Sequence, residues 1–174
     1  MHIRAMQPGD RAAVDVLLAT AFATPASSAA EPPIEVGLNT ALLDSDAMLP
    51  HLTLVAELDG EIVGYCISTR GTVDATTPVL GLGPIAVAPE RQRDGIGSAL
   101  VCETIRMAEA HGEGLLVLLG DPAYYGRFGF VAGSELGVDS PEPAWGAYFQ
   151  ALRLTNAGDE HRGAFRYAAP FEAL

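Results

Sequence analysis

The chain has 174 residues, 49% of them hydrophobic, and its 22 acidic and 10 basic residues give a net charge of −12 at pH 7. This length and composition predict one globular domain, residues 1–174, with a sizeable core. All ten basic residues are arginines, which excludes a lysine nucleophile and a P-loop lysine. The acidic balance argues against nucleic acid as a partner, whereas it suits either a cationic acceptor such as an amine or a merely solubilising surface.

The sequence also predicts the setting in which the protein works. Cys66 and Cys102 lie in apolar surroundings without metal-type spacing, so we expect small core residues and no metal site. No secretory pattern opens the chain, which favours a cytoplasmic protein. No apolar run approaches the roughly 20 residues of a membrane span, so no membrane role is expected.

The first third of the chain predicts one strand and two helices. Residues 2–6 predict a short strand, and Asp10 is a candidate N-cap for a helix that ends at Phe22. Pro, Ser and Ala predict a loop over residues 24–33. Apolar residues at helical spacing then predict a second, shorter helix over residues 34–43.

Two β-rich runs, residues 51–58 and 61–68, flank Asp59-Gly60 and predict a β-hairpin. A loop then leads to a buried strand predicted over residues 79–88. This strand contains two glycines and Pro84, which indicates a bulge or the close approach of a backbone or ligand.

A glycine-bearing turn follows this strand, with the sequence Gln-Arg-Asp-Gly-Ile-Gly at residues 92–97. Its glycines permit a sharp turn, and the N–H groups that begin the next helix, predicted over residues 98–111, have no intrahelical partner. Such a turn binds phosphate oxygens, although alone it is as often structural. A Rossmann fingerprint is excluded because Leu100 occupies the place of its third glycine. A strand predicted at residues 115–119 completes a βαβ unit, which implies that the two strands pair in parallel or are at least adjacent.

The last third predicts a short helix and further strands. Asp121 is an N-cap candidate and Pro122 suits the first turn of a helix that ends near Gly129. Residues 149–154 and 164–168 predict strands of a mixed sheet.

Two blocks of this sequence together resemble the GNAT superfamily of acyl-CoA-dependent N-acetyltransferases. The first contains Gln92, Gly95 and Gly97 in the pattern Gln/Arg-x-x-Gly-x-Gly/Ala of that family's phosphate loop. The second, residues 119–130, is similar to the family's helix that leads into Gly-Phe. Its run Leu-Gly-Asp-Pro-Ala-Tyr-Tyr further resembles the YhbS-type branch. Two blocks in the right order and separation are far more specific than either alone.

The resemblance implies an α/β fold, more narrowly an α+β domain with a mixed sheet. Its central, mostly antiparallel sheet is flanked by helices and splayed at one parallel pair, with acetyl-CoA as co-substrate in the cleft and no metal. The turn would bind the diphosphate, and the preceding strand would hold the pantetheine arm and polarise the thioester carbonyl. The implied cofactor-binding residues are Ile85, Ala86, Val87, Gln92, Arg93, Asp94, Gly95, Ile96, Gly97 and Ser98.

Asp94 departs from the family pattern, in which the residue before the first glycine is commonly basic. A carboxylate beside a diphosphate is unfavourable unless it points outward. We therefore expect Arg91 or Arg93 to supply the compensating charge.

The resemblance places the family's frequent general acid at Tyr125. A phenol with a pKa of about 10 stays protonated at neutral pH and can donate to a departing thiolate. The alternative is that Tyr125 only packs its helix against the sheet. Asp121 is a candidate general base, although N-capping explains it fully. Glu57 and His51 are weaker candidates, and a water chain needs no dedicated base.

The implied reaction moves an acetyl group from acetyl-CoA directly to the amine of an acceptor, a small molecule or a peptide or protein, on a monomer or homodimer. The acceptor wall is expected from residues 24–50, 70–77 and 139–148, with Trp145 and Tyr148 as candidates. Two alternatives stay open. One is a non-catalytic CoA-binding or regulatory module, and the other is a structural α/β domain that binds no CoA.

Overall fold

The computed structural model describes residues 1–28 and 31–173. The loop predicted over residues 24–33 therefore falls partly outside the described residues. The strands and helices are, in chain order, β1 His2–Ala5, α1 Arg11–Ala21, α2 Ile34–Leu43, β2 Met48–Leu58, β3 Glu61–Val73, β4 Thr77–Val87, α3 Ile96–Ala110, β5 Leu115–Leu119, α4 Pro122–Tyr125, β6 Val131–Ala132, β7 Val138–Asp139, β8 Phe149–Arg153 and β9 Gly163–Arg166.

The described strands form one mixed sheet whose main path is β1-β2-β3-β4-β5-β8-β6. Neighbours along β1 to β4 are antiparallel, β4 and β5 are parallel, and β8 is antiparallel to both β5 and β6. The predicted fold class, a mostly antiparallel sheet with a parallel pair and flanking helices, is confirmed. A short parallel pairing of β7 with β9 was not predicted.

The hairpin of β2 and β3 is confirmed, and its strands are longer than predicted. Asp59 and Gly60 have φ values of 53° and 86°, as a type I′ turn requires at both central positions. Since β3 continues to Val73, the predicted loop over residues 70–77 is mostly strand. Its remaining turn precedes β4 and lies about 30 Å along that strand from Val87.

Helices cover both faces of the sheet. Two successive side chains of β3 show which helix lies on which face. The Tyr65 hydroxyl lies 2.7 Å from Asn39 Oδ1 on α2, whereas Cys66 Sγ lies 3.4 Å from Thr104 Oγ1 on α3. Successive side chains of a strand point to opposite faces. Consequently α1 and α2 cover one face, and α3 covers the other.

Asp10 precedes α1, but its predicted capping bond is wrong. Its carboxylate accepts the Gln7 N–H at 2.7 Å and pairs with the Arg4 guanidinium at 2.6 Å, and no side-chain bond caps the described start of α1. The ion pair with Arg4 is the main cause of the lowered pKa of Asp10. The carboxylate thus ties the 3-10 turn Pro8–Asp10 to β1.

The α3 helix begins two residues before its predicted start and exposes one side chain that was expected inside. Cys66 on β3 is buried, whereas Cys102 on α3 is exposed, so the core prediction is wrong for Cys102. The apolar residues of α3 recur at helical spacing and turn Leu100, Val101 and Thr104 inward instead. None of the helices in the described ranges is long and apolar enough to cross a membrane.

Candidate functional site

The parallel strands β4 and β5 separate soon after they meet. Their described pairing covers Leu80 with Leu116 and Gly81 with Val117. Beyond this point the register between β3 and β4 shifts, so that Gly83 and Pro84 both oppose Ile67. This is the predicted bulge, and an extra residue bends its strand. A cleft opens between β4 and β5.

The free edge of β4 presents main-chain groups to this cleft. The Ala88 N–H donates to the Val63 carbonyl of β3 at 2.9 Å. Because main-chain groups alternate along a strand, those of Ile85 and Val87 point away from β3 and into the cleft. The Val87 carbonyl accepts the Gln92 side-chain amide at 3.4 Å. Ala86 has the opposite orientation and is 3% exposed, so it presents neither its main-chain groups nor an exposed side chain to the cleft.

The turn at residues 92–97 presents unbonded N–H groups. Arg93 and Gly95 have φ values of 70° and 83°, and the first α3 bond runs from the Ala99 N–H to the Gly95 carbonyl at 2.9 Å. The N–H groups of residues 96–98 precede that bond and have no intrahelical acceptor. The Ile96 side chain is buried in the core. Ile96 can therefore offer a ligand only its main-chain N–H.

A cavity of about 730 Å³, here called the turn cavity, lies between the β4 edge, this turn and α4. Its lining includes Ile85, Val87, Gln92, Arg93, Asp121 and Tyr125. The glycines of the turn and Ser98 also border it. Asp94 is exposed and lies outside this cavity, which is the outward orientation that an anion site requires.

Arg127 is a second cation of the turn cavity, and the sequence analysis did not identify it. Its guanidinium carbon lies 4.0 Å from the ring centroid of Tyr124. Tyr124 in turn approaches α3 where a Cβ on Gly97 would lie 2.9 Å from its hydroxyl. Together Arg93 and Arg127 give the cavity two positive side chains. The signal available in the sequence was a basic residue within the second family block.

Tyr125 is a partly buried ionisable side chain of the turn cavity that packs against the core. Its ring packs edge to face on Tyr124 and Phe130, at centroid distances of 4.8 and 5.9 Å, and a Cβ on Gly120 would clash with it. Burial raises the pKa of Tyr125 to about 12, with smaller effects from Tyr124 and Cys66. The phenol therefore stays protonated throughout the neutral range and can donate a hydrogen bond.

The three candidate general bases each have another partner in the structure. Asp121 lines the turn cavity, is exposed, and accepts the Ala123 N–H at 2.9 Å, which confirms its prediction as an N-cap. Glu57 pairs with Arg4 at 2.9 Å, and His51 stacks on His111 with centroids 4.0 Å apart. Glu57 and His51 lie outside the turn cavity.

A second cavity of about 490 Å³, here called the aromatic cavity, lies beyond Ile85 and Tyr125, which line both cavities. It is bordered by Glu35, Leu38, Gly83, Trp145, Tyr167 and Phe171. Two segments of the predicted acceptor wall, residues 24–50 and 139–148, thus contribute to it.

Two other predicted parts of the acceptor wall do not border the aromatic cavity. Tyr148 is 58% exposed and lies outside the aromatic cavity. The segment at residues 70–77 lies at the far end of β4, where Arg70 pairs with Glu113 at 2.6 Å. Tyr167 and Phe171, from the segment after β8, were not predicted. Their sequence positions carry no signal, since aromatic residues are ordinary in a core.

Comparison with known proteins identifies the family. The pattern of the family described as Acetyltransferase (GNAT) domain matches residues 50–132. The crystal structure of a GNAT family acetyltransferase from Brucella melitensis, in complex with acetyl-CoA, is 32% identical to this chain, with a TM-score of 0.76 over 98% of this chain and 97% of that one. The chain belongs to the GNAT acetyltransferase family.

Two relatives from Escherichia coli support this membership. The GNAT N-acetyltransferase YhbS, solved in complex with CoA, superposes with a TM-score of 0.84 over 98% of this chain and 91% of that one, at 28% identity. The YhbS sequence is 28% identical over 90% of this chain and 89% of its own length. YjhQ is 33% identical over 113 residues, 63% of this chain. That match spans only 62% of YjhQ, under two thirds of its length.

Proposed function

We propose that this GNAT chain catalyses direct transfer of an acetyl group from acetyl-CoA to the amine of an acceptor. The observation that supports this most strongly is the shared wall of the two cavities, formed by Ile85 and Tyr125. A donor held along the turn cavity and an acceptor held in the aromatic cavity meet at this wall. Such positioning converts a bimolecular reaction into an effectively unimolecular one.

The turn cavity suits CoA by its chemistry. Its helix-start N–H groups and the cations Arg93 and Arg127 match a diphosphate. The β4 edge at Ile85 and Val87 offers donors and acceptors to the amide groups of a pantetheine arm, in strand-like pairing. The relatives from Brucella melitensis and Escherichia coli were solved with acetyl-CoA and CoA, respectively. Asp94 is exposed outside the cavity and does not oppose anion binding.

Bound acetyl-CoA supplies an activated acetyl group as a thioester. One cleft-facing N–H of the β4 edge, that of Ile85 or Val87, stabilises the negative charge that develops on the acyl oxygen. Tyr125 donates its hydroxyl proton toward the sulfur as the carbon–sulfur bond breaks and the amine nitrogen bonds to the acyl carbon. The proton that leaves the nitrogen restores the phenol, directly or through water.

The raised pKa of Tyr125 restricts how this proton moves. A phenol with a pKa of about 12 is a far weaker acid than a thiol, whose pKa is about 8.5. Complete transfer of the Tyr125 proton to the thiolate is therefore unfavourable in free energy. The phenol must donate its proton to the sulfur while it receives the proton that leaves the amine nitrogen. This relay needs no dedicated base, which agrees with the engagement of Asp121 as an N-cap.

Thiol release tests the proposal. The full chain is incubated with acetyl-CoA and a panel of primary amines, and free CoA is measured against an amine-free blank. We expect amine-dependent release together with an acetylated amine of the correct mass. If calorimetric titration shows that acetyl-CoA binds but no amine-dependent thiol release occurs, the chain would instead be a non-catalytic CoA-binding module. Absence of acetyl-CoA binding at millimolar concentration would leave a structural domain.

A further inference from the structure

Glu35 lines the aromatic cavity, and the sequence assigned no role to it. It lies in the first turn of α2, half-buried. Among the described residues that line the cavity, it is the one acidic side chain. No hydrogen bond or ion pair joins its carboxylate to another residue in the described part of the chain, so the carboxylate has no internal partner.

The remaining wall of the aromatic cavity is mainly apolar and aromatic. Tyr167 packs in a tilted arrangement against Phe171, with ring centroids 4.7 Å apart, and meets Trp145 edge to face at 6.3 Å. Leu38 and Leu82 complete this wall. Aromatic faces attract both apolar skeletons and cations.

We propose that the acceptor is an amine with an apolar skeleton, and that Glu35 selects it by pairing with its ammonium charge. The inference rests on the proposed function, since it assigns the acceptor of that reaction. An alkylammonium group resembles a lysine side chain, with a pKa of about 10.4, and enters the cavity charged. It loses one proton to water before its nitrogen attacks the acyl carbon. Its skeleton packs on Tyr167 and Phe171. Glu35 is thus a specificity-determining residue.

The charge distribution supports this acceptor class. The chain carries a net charge of −12, and an overall negative field raises the encounter rate of a cationic ligand. The two arginines of the site line the turn cavity instead, where an anion is bound. Each cavity therefore offers charge of the sign opposite to that of its ligand.

Calorimetric titration of the CoA-saturated protein tests the inference. The probes are 2-phenylethylamine, its neutral isostere 2-phenylethanol, and methylamine, which has the charge without the skeleton. We expect 2-phenylethylamine to bind at least about tenfold more tightly than either of the others. In Glu35→Gln, the preference over the alcohol should fall to about twofold or less. Glu35→Asp should retain part of this preference.

Glu61→Gln is the matched control, because it removes an equal charge from an exposed site at the start of β3, outside the aromatic cavity. It should keep the amine preference. Equal binding of amine and alcohol to the native chain, no binding of either, or an unchanged preference in Glu35→Gln would overturn the inference. Turnover without the amine preference defeats this inference alone, whereas the preference without thiol release defeats the proposed function alone.

Discussion

The turn cavity and the aromatic cavity share a wall but are built in different ways. The turn cavity draws mainly on two short segments, β4 with the turn before α3 and the residues around α4, and much of its chemistry is main-chain. The aromatic cavity takes side chains from α2, β4, β5 and the last 3-10 helix, Ala169–Ala173, and from Phe22, Tyr125, Trp145 and Tyr167. One cavity depends on backbone geometry, and the other on which side chains the fold brings together.

This difference explains how the two sites can vary. A backbone site favours glycine where φ is positive, as at Gly95, and tolerates change at outward positions such as Asp94. A side-chain site changes its ligand whenever one wall residue changes. We infer that the turn cavity specifies the common donor, and that the aromatic cavity specifies the acceptor of this chain.

Replacing Tyr125 by Phe tests the shared wall and should have the largest effect. General acid catalysis contributes about a hundredfold or more, so kcat should fall by about that factor. Because only a hydroxyl is lost, the Kd of acetyl-CoA should change less than about twofold. The measurement combines thiol release with calorimetry. Tyr148→Phe, at a residue 58% exposed outside both cavities, is the control. An unchanged kcat would reduce Tyr125 to a packing residue.

Replacing Gly95 by Val tests whether the turn cavity depends on backbone geometry. Gly95 has a φ of 83°, and an L-residue pays about 1–2 kcal/mol in the left-handed region. If the turn relaxes, the Kd of acetyl-CoA should rise at least about tenfold, equivalent to about 1.4 kcal/mol. Gly37→Val is the control, since a Cβ there meets nothing within 4 Å. Native affinity and native melting temperature in Gly95→Val would contradict this dependence.

Replacing Arg127 by Gln measures how much a side chain adds to the backbone site. The guanidinium is exposed, so its contribution is screened by solvent and salt. The Kd of acetyl-CoA should rise about three- to fivefold at low salt, and by less at about 0.5 M salt. Arg162→Gln removes an exposed arginine from outside the cavity and should leave the Kd unchanged. A salt-independent loss would point to disrupted packing on Tyr124 instead.

The smallest expected effect comes from His51, which lies outside both cavities. Burial, followed by the charge of His111, lowers the pKa of His51; Arg70 acts in the same direction and Glu113 opposes them. Below about pH 6.5 the unfolded chain therefore binds this proton more readily, and stability falls as the pH falls.

Melting temperatures between pH 7.5 and 5 check the contribution of His51. His51→Gln should lose less stability over this interval than the native chain, whereas His2→Gln, at an exposed position, should behave like the native chain. Acetyl-CoA affinity at pH 7.5 should be the same in all three proteins. Identical pH profiles for His51→Gln and the native chain would remove His51 as a source of acid sensitivity.

Local patterns predicted most of the secondary structure and the turn cavity. The hairpin at Asp59-Gly60, the bulge in β4 and the βαβ unit each depend on neighbouring residues and were confirmed. The errors occur where tertiary contacts override a local preference. Asp10 bonds to Arg4 and Gln7 rather than to its helix, and α3 turns Cys102 toward solvent.

The sequence by itself predicted the family, the hairpin of β2 and β3 and the turn that precedes α3, because each depends on residues close together along the chain. Only the tertiary structure brought Glu35, Tyr167 and Phe171 around one cavity, and it also placed Arg127 beside the turn. These residues are far apart in sequence, and no local sequence pattern marks them as parts of a site. Their joint chemistry depends on distance and burial, and these exist only after the strands and helices have packed.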